Sequence, residues 1–361
     1  MKTVNKLDYV YRKLVVKARE KRNNTIDISD EEYETYYGSE ENIHDYSQDY
    51  LTIVSLEDNN YIYLTLYCSL ETDSIPNSKT ISISIDNGVT WENKISHFYR
   101  SNDAWFIDNK VILGILNCGQ KMLIKGNNIS YGSYGNYNSF ESTKNFNIEG
   151  NIMSLIHGDG FINQTNLLYA NTFSNLFSDC TKLISAENLI LPTTTTIECY
   201  SHMFSGCTSL ITTPKLPATT LAPKCYVGMF SDCTSLTKGP ELPATTLAEI
   251  CYSDMFSGCI SLTKAPTLPA SILTQYCYNK MFNGCTNLNY IKCLATTNTN
   301  INIGTAGHPL GGWITGVASS GTFIKLQGVE FSKGNSGIPI GWTVQELDPE
   351  TGEIVNEYIN E

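Results

Sequence analysis

The spacing of the hydrophobic residues changes along the chain, and the first spacing predicts a helix. In residues 1–22 the apolar side chains recur at intervals of three and four positions, close to a heptad pattern. We expect this helix either to pack on its own chain or to dock onto a partner or a second copy. Its apolar face, the candidate anchor and oligomerisation surface, consists of Val4, Leu7, Tyr11, Leu14 and Ala18.

Residues 27–50 are rich in acidic residues and tyrosines and show no such spacing. This composition predicts a linker or a second docking segment. Residues 1–49, which combine the predicted helix with this acidic segment, are therefore predicted to be an anchor and linker.

From residue 50 to 163 the hydrophobic residues alternate with polar ones. The clearest runs are 51–56, 61–67 and 81–85. Alternation of β-branched and aromatic residues between Asn, Asp and Gly predicts antiparallel strands. A β-sandwich over residues 50–163 fits their number and spacing.

The strongest pattern is an internal repeat of 26 residues within 164–295. The unit reads Cys-Tyr-x-x-Met-Phe-x-x-Cys-x-x-Leu, followed in the best copies by Pro-x-Leu-Pro-Ala-Thr. One unit cannot bury these side chains alone, whereas stacked units can, so the pattern predicts a short solenoid. We expect very short strands on one side of each unit and a short helix around Cys-Tyr-x-x-Met-Phe on the other. The remaining residues, 296–361, predict a β-rich cap.

Two sets of repeat positions are candidate binding residues. The tyrosines after the first Cys line up if the units stack, either as core or as a half-exposed aromatic ladder. Two further slots differ between copies, and a slot that is free to vary should face solvent. They hold Thr212, Lys238 and Lys264, and Lys215, Glu241 and Thr267. The candidates are therefore Tyr200, Tyr226, Tyr252, Tyr278, Lys215, Lys238, Glu241 and Lys264.

The repeated cysteines admit three interpretations. We favour buried thiols, because small buried cysteines pack well and a repeating slot requires one residue type. Disulfides between positions eight apart, such as Cys199 and Cys207, are the second interpretation, and a metal site is the third. The sequence contains no Cys-x-x-Cys pair, so we expect neither a metal nor another cofactor.

The charge distribution restricts the partners. The net charge is −12; residues 1–22 hold eight bases and two acids, 8 − 2 = +6, so the remainder carries −12 − 6 = −18. An acidic body argues against nucleic acid. No apolar run is long enough to span a membrane, and the first residues lack a secretory pattern. We therefore expect a protein that stays in the cytoplasm in which it is made or leaves by another route.

Ser84-Ile-Asp-Asn-Gly-Val-Thr-Trp91 resembles the Asp-box of sialidase propellers. Sialidases carry several such boxes and bind the substrate carboxylate with three arginines. This chain has one box, and no arginine lies beyond Arg100. We interpret the box as a folding device and expect no catalytic residues.

The run Met-Phe-Ser-Gly-Cys-Thr-Ser-Leu at 203–210, with its copies at 229–236 and 255–262, resembles the BspA-type leucine-rich repeat. The resemblance covers about 166–295. It implies a leucine-rich solenoid used for binding and adhesion in surface proteins of gut anaerobes and in virion proteins of their crAss-like tailed phages.

These observations predict an α+β chain that is mostly β: an N-terminal helix, a β-sandwich, a leucine-rich-repeat solenoid and a β-rich cap. We expect a non-enzymatic virion protein, a fibre or decoration subunit. Residues 1–50 would contact other virion proteins or further copies, and the repeats a host-surface protein or glycan. A bacterial cell-surface adhesin is the alternative, and a glycan-active enzyme the least favoured.

Overall fold

The computed structural model describes residues 44–65, 80–95, 97–101, 104–108, 110–128, 131–133, 136–137, 139–296 and 307–361. Within them, Tyr46–Glu361 forms one compact unit. The predicted modules 50–163, 164–295 and 296–361 all lie in this unit. The predicted N-terminal helix lies outside the described residues.

The unit is mostly β. Its described helices are one short α-helix, α1 (Ser154–His157), and two 3-10 turns, Tyr46–Gln48 and Gly158–Gly160. The strands are β1 (Leu51–Ser55), β2 (Asn60–Thr65), β3 (Thr80–Ser84), β4 (Glu92–Ile95), β5 (His97–Ser101), β6 (Ala104–Asp108), β7 (Lys110–Leu116), β8 (Lys121–Gly126), β9 (Gly132–Ser133), β10 (Asn136–Tyr137), β11 (Ser139–Ser142), β12 (Phe146–Asn151), β13 (Leu183–Ile190), β14 (Tyr290–Lys292), β15 (Thr322–Leu326), β16 (Thr343–Leu347) and β17 (Ile354–Ile359).

Two sheets share a core in the first part of the unit. One has the order β13-β12-β1-β8-β3-β4 and the other the order β11-β2-β7. Buried and more exposed residues alternate along β2 and β8, as the sequence pattern predicts for strands with one buried face. The sheets approach closely: a Cβ added to Gly114 of β7 would lie 2.9 Å from Cε of Met122 on β8.

The first sheet extends to the first repeat through a parallel bridge between Ser185 and Thr212. β12 pairs in parallel with β13, where Gly150 lies opposite Leu189. Single parallel bridges then join successive repeats, including Lys238 to Lys264 and Lys264 to Tyr290. β14, β15 and β16 follow in parallel, and β17 pairs antiparallel with β16. Very short strands were expected on this side of the repeats. Between the repeats the structure instead has isolated bridges of one residue each.

On the other side of each repeat, backbone hydrogen bonds alternate between two directions. The N–H of Met203 donates to the carbonyl of Tyr200 in its own repeat. The next N–H, that of Phe204, donates to the carbonyl of Met229 in the following repeat at 2.9 Å. The same alternation holds in later copies, so each repeat is bonded to the next along this segment.

The prediction of a short helix around Cys-Tyr-x-x-Met-Phe is wrong, because these segments form turns. Left-handed φ values recur at Glu198 (55°), His202 (53°) and Gly206 (73°), four positions apart. A right-handed helix does not continue through such residues, because each reverses the local backbone hand. The segment is a series of turns, and this geometry frees alternate N–H groups to reach the next repeat.

A column of aromatic rings runs through the stacked repeats. Neighbouring phenylalanine rings are 5.2 to 5.8 Å apart between centroids and nearly parallel. The column begins on β11, so the two-sheet region and the repeats share one core. Its members are Phe140, Phe177, Phe204, Phe230, Phe256 and Phe282.

A further layer of the stack lies within residues 296–361, for which the sequence predicts only a β-rich cap. Phe282 donates its N–H to the carbonyl of Trp313 at 2.7 Å, and the two rings lie 6.2 Å apart. Trp313 therefore takes the backbone position that methionine holds in the earlier repeats, and its ring lies against the end of the aromatic column. It follows Met281 by 313 − 281 = 32 residues, and tryptophan replaces methionine, so the 26-residue pattern does not reveal it.

A candidate recognition surface on the stacked repeats

The four repeat tyrosines do not form a surface, which corrects the prediction that they bind a ligand. Their rings stack at 5.5, 5.7 and 6.0 Å between centroids. Each is at most 1% exposed, so no partner can reach them in the folded chain. The alternative interpretation, core packing, is the one the structure supports. These residues are Tyr200, Tyr226, Tyr252 and Tyr278.

Burial also decides the chemistry of these phenols. The hydroxyls of Tyr200, Tyr226 and Tyr252 have no hydrogen-bond partner among the described protein atoms. Desolvation raises the pKa of Tyr200 well above its ordinary value, and the pKa of Tyr226 likewise. Burial therefore favours the neutral form of these phenols.

The repeat cysteines are buried thiols, as the favoured interpretation predicts. One series donates from each thiol to a phenylalanine carbonyl of the preceding repeat: Cys207 to Phe177 at 3.0 Å, and Cys259 to Phe230 at 3.0 Å. Desolvation raises the pKa of Cys199 to about 12. A thiol reacts as its thiolate, and a raised pKa keeps the thiol protonated. These sulfurs should therefore be unreactive.

Backbone bridges align the outward slots of the later repeats. Lys238 and Lys264 are joined by a backbone bridge, Lys264 is bridged to Tyr290, and both lysines are exposed. The Nζ of Lys264 lies 4.3 Å from the ring centre of Tyr290, within range of a cation–π contact. We call Thr212, Lys238, Lys264 and Tyr290 the lysine strip.

A second exposed line runs beside the lysine strip, three residues further along each repeat. It holds Lys215, Glu241 and Thr267, all exposed. Unlike the core positions, which repeat one residue type, both lines vary among the copies: the strip holds threonine, lysine, lysine and tyrosine, and the second line holds lysine, glutamate and threonine. The stack holds these side chains at fixed distances from one another, and they differ in charge. Such a surface can recognise a partner by its shape and charge, without catalysing a reaction.

The structure also brings together a cluster that sequence reasoning missed. Lys125 and Tyr50 both donate to Oδ1 of Asp159, at 2.7 and 2.6 Å. The Nζ of Lys125 lies 3.9 Å from the ring centre of Trp91. The hydrogen bond from Lys125 is the largest cause lowering the pKa of Asp159, and burial raises the pKa of Tyr50 to about 12. These residues lie far apart in the sequence, so no local pattern signals the cluster.

The Asp-box closes the turn between β3 and β4. Asp86 accepts hydrogen bonds from the Thr90 hydroxyl at 2.6 Å and the Thr90 N–H at 2.9 Å, and the Ser84 hydroxyl donates to it at 2.7 Å. The Trp91 indole N–H donates to the carbonyl of Gly88 at 3.1 Å. The side chains of Ser84, Asp86, Thr90 and Trp91 are thus all engaged in the turn.

Other predicted features fall outside this surface. The anchor residues Val4, Leu7, Tyr11, Leu14 and Ala18 lie outside the described residues. Within the described ranges, no group of three or more His, Cys, Asp or Glu side chains is placed to hold a metal ion. No helix in the described part of the chain is long and apolar enough to cross a membrane.

Comparison with known proteins gives no relative: no family model, no curated protein and no solved structure matches the chain.

Proposed function

We propose that this chain is a non-enzymatic recognition protein whose lysine strip contacts a host-surface protein or glycan. The observation that carries the proposal is the division of the repeats into constant and variable positions. The constant side chains, such as Tyr226 and Phe230, are completely buried, whereas the variable Lys238 and Lys264 are exposed and aligned. A stack of this kind holds outward side chains at fixed spacing, which lowers the entropic cost of binding.

The proposed architecture is an N-terminal helix, a β-sandwich, a leucine-rich-repeat solenoid of the BspA type and a β-rich cap. Its support is the repeat unit at 203–210 and its copies, together with the bonds between successive repeats. The helix at residues 1–22 would anchor the chain to other virion proteins.

We assign the protein to the virion of a tailed phage as a fibre or decoration subunit. The support is the resemblance of the repeat unit and the charge contrast between a basic head and an acidic body. The alternative is an adhesin on a bacterial cell surface, which would use the same strip. A glycan-active enzyme is the least favoured candidate, because the one Asp-box is engaged in its own turn.

Binding of the purified full chain to intact gut-anaerobe cells and to an array of bacterial surface glycans tests the strip. The variant Lys238→Ser/Lys264→Ser/Tyr290→Thr should lose at least about tenfold in affinity, the loss of one or two good contacts. The control Lys144→Ser/Lys182→Ser removes the same charge from exposed sites elsewhere and should bind like the wild type. Equal binding by all three proteins would overturn the proposal.

Location is tested separately. An antibody against residues 46–361 should label purified phage particles from the strain that carries the gene, and deletion of residues 1–25 should abolish the label while the protein stays folded. Label on uninfected cells would favour the adhesin. Incorporation of the deleted chain would refute the anchor.

A further inference from the structure

One side of the repeats, the side that carries the lysine strip, is basic. Its four segments begin at the repeat leucines and together hold four lysines and one glutamate, 4 − 1 = +3. The whole chain carries a net charge of −12, so this side is a basic region on an acidic protein. The segments are 210–217, 236–243, 262–269 and 288–295, and their lysines are Lys215, Lys238, Lys264 and Lys292.

The charges of these four lysines are not neutralised by neighbouring acids. None of the four forms a salt bridge with a residue in the described part of the chain, whereas Lys224 on the turn side is paired with Glu198 at 2.9 Å. The turn side also differs in sign, because its two lysines and three acids give 2 − 3 = −1. Its segments are 198–206, 224–232, 250–258 and 276–284.

The outward positions of the basic side continue in register into the cap. Lys238 is bridged to Lys264, and Lys264 to Tyr290. Tyr290 lies opposite Thr322 on β15, and Thr322 lies opposite Thr343 on β16. Five adjacent positions about 4.8 Å apart make a row about 19 Å long. We call Lys238, Lys264, Tyr290, Thr322 and Thr343 the bridged row.

The bridged row is narrow and polar. The residues that follow Lys264 and Tyr290 face the core, since Ala265 is 3% and Ile291 is 0% exposed. Protein interfaces are built around apolar and aromatic anchors that fill pockets. In the bridged row one side chain is aromatic and none is aliphatic. Its shape and polarity therefore suit an extended polymer with repeating polar groups better than a second protein surface.

We infer that the bridged row binds an anionic polysaccharide that lies along the direction in which the repeats stack. The inference rests on the proposed function and narrows the partner to a glycan with acidic groups. Lys238 and Lys264 pair with these groups, because a lysine ammonium is a compact charge that binds anions without the planar fork of arginine. The hydroxyls of Thr322 and Thr343 then donate to or accept from sugar hydroxyls further along the polymer.

Charge spacing separates this ligand from a nucleic acid. Duplex DNA carries one charge about every 1.7 Å of its axis. The bridged row has two lysines followed by three uncharged side chains, and the whole chain carries −12, so a densely charged polymer is repelled. A polysaccharide with one carboxylate per sugar ring is a sparser anion and fits the two lysines with less repulsion.

Binding of the full chain to polygalacturonate, measured by isothermal titration calorimetry, tests the ligand class. The wild type should bind, and raising NaCl from about 50 to about 500 mM should weaken binding at least about tenfold, because salt screens exposed charges. Fully methyl-esterified polygalacturonate keeps the sugar backbone without the charge and should not bind. Equal binding of the two polymers, no binding of either, or tighter binding of polyglutamate would overturn the inference.

Variants of the row test the place of binding. Lys238→Gln/Lys264→Gln should lose at least about fivefold in affinity for polygalacturonate, the effect of two exposed ion pairs. Glu241→Lys should gain about threefold, because it removes the one acid of the basic side and adds a base. The control Lys144→Gln/Lys280→Gln removes the same charge at exposed sites off the row and should stay near the wild type. Equal losses in both double variants would overturn the assignment to the row.

The cell-binding assay of the proposed function separates the two possible failures. If Lys238→Ser/Lys264→Ser/Tyr290→Thr loses binding to cells but polygalacturonate neither binds the wild type nor competes, the strip recognises another partner and this inference alone fails. If polygalacturonate binding depends on the row but cell binding does not, the proposed function fails.

Discussion

The thiol of Cys233 donates a hydrogen bond to the carbonyl oxygen of Phe204, 3.2 Å away in the preceding repeat. Four such bonds follow one another along the stack, from Cys207, Cys233, Cys259 and Cys285. The cysteines are therefore structural donors that connect successive repeats, in addition to filling space.

Removing one of these donors should destabilise the whole unit. Cys233→Ala removes this hydrogen bond, while the Phe204 carbonyl keeps the bond from the Cys207 N–H at 3.1 Å, and should lower the free energy of unfolding by about 0.5–1.5 kcal/mol. Urea denaturation followed by circular dichroism measures the change. Cys118→Ala, at an exposed site, should stay within about 0.5 kcal/mol of the wild type. A loss no greater than that control would refute the structural role.

A second prediction concerns the approach of the cap to the last repeat. A Cβ on Gly321 would lie 2.4 Å from the backbone oxygen of Asn289, whereas a Cβ on Gly160 would meet nothing within 4 Å. Gly321→Ala should therefore cost about 1–3 kcal/mol of stability, because backbone must move. Gly160→Ala serves as the control in the same urea titration. Equal stability of the two variants would show that the layers are not in this close contact.

A substitution at Ile250 should increase the free energy of unfolding. This residue has a φ of 59°, a left-handed conformation that β-branched residues tolerate poorly. Ile250→Asn relieves this strain and should raise the free energy of unfolding by about 0.5–1 kcal/mol. Ile260→Asn provides the comparison, at an exposed isoleucine outside the left-handed region, and should give no gain. A loss of stability in Ile250→Asn would contradict the turn geometry.

The Asp-box should contribute stability that depends on pH. The hydrogen bonds from Thr90 lower the pKa of Asp86 from 3.8 to about 2. A lowered pKa in the folded state means that the contribution is complete above the unfolded pKa of 3.8 and is lost as the pH falls through about 2. The difference in urea midpoint between wild type and Asp86→Asn should be constant near neutral pH and shrink below pH 3.8. A difference that does not change with pH would exclude the carboxylate charge as its cause.

The repeat spacing in the sequence was sufficient to predict which residues are equivalent, but not which way they face. Helices and strands have periods that identify a buried side, whereas a series of turns with left-handed residues at Glu198 and His202 has neither period. For this reason the sequence pattern predicted a helix at that segment and did not decide whether Tyr200 lies in the core or at the surface.

Features that depend on distant residues could not be predicted either. Lys125 and Asp159 meet because β8 lies beside the turn that follows α1, which no local pattern records. The layer at Trp313 was missed because the intervening chain is longer than one repeat. In contrast, the exposure of Lys215, Lys238, Glu241 and Lys264 follows from their variation between copies, and the structure confirms it.

Thiol labelling of the native full chain, read by mass spectrometry, tests the stack most directly. With a small alkylating reagent, we expect Cys118 to react at once and the ten described cysteines from Cys180 to Cys293 to react only at the rate of unfolding, since all ten are buried. Rapid labelling of Cys225 or Cys259 in the folded protein would contradict the account, because those sulfurs would then face solvent rather than the core.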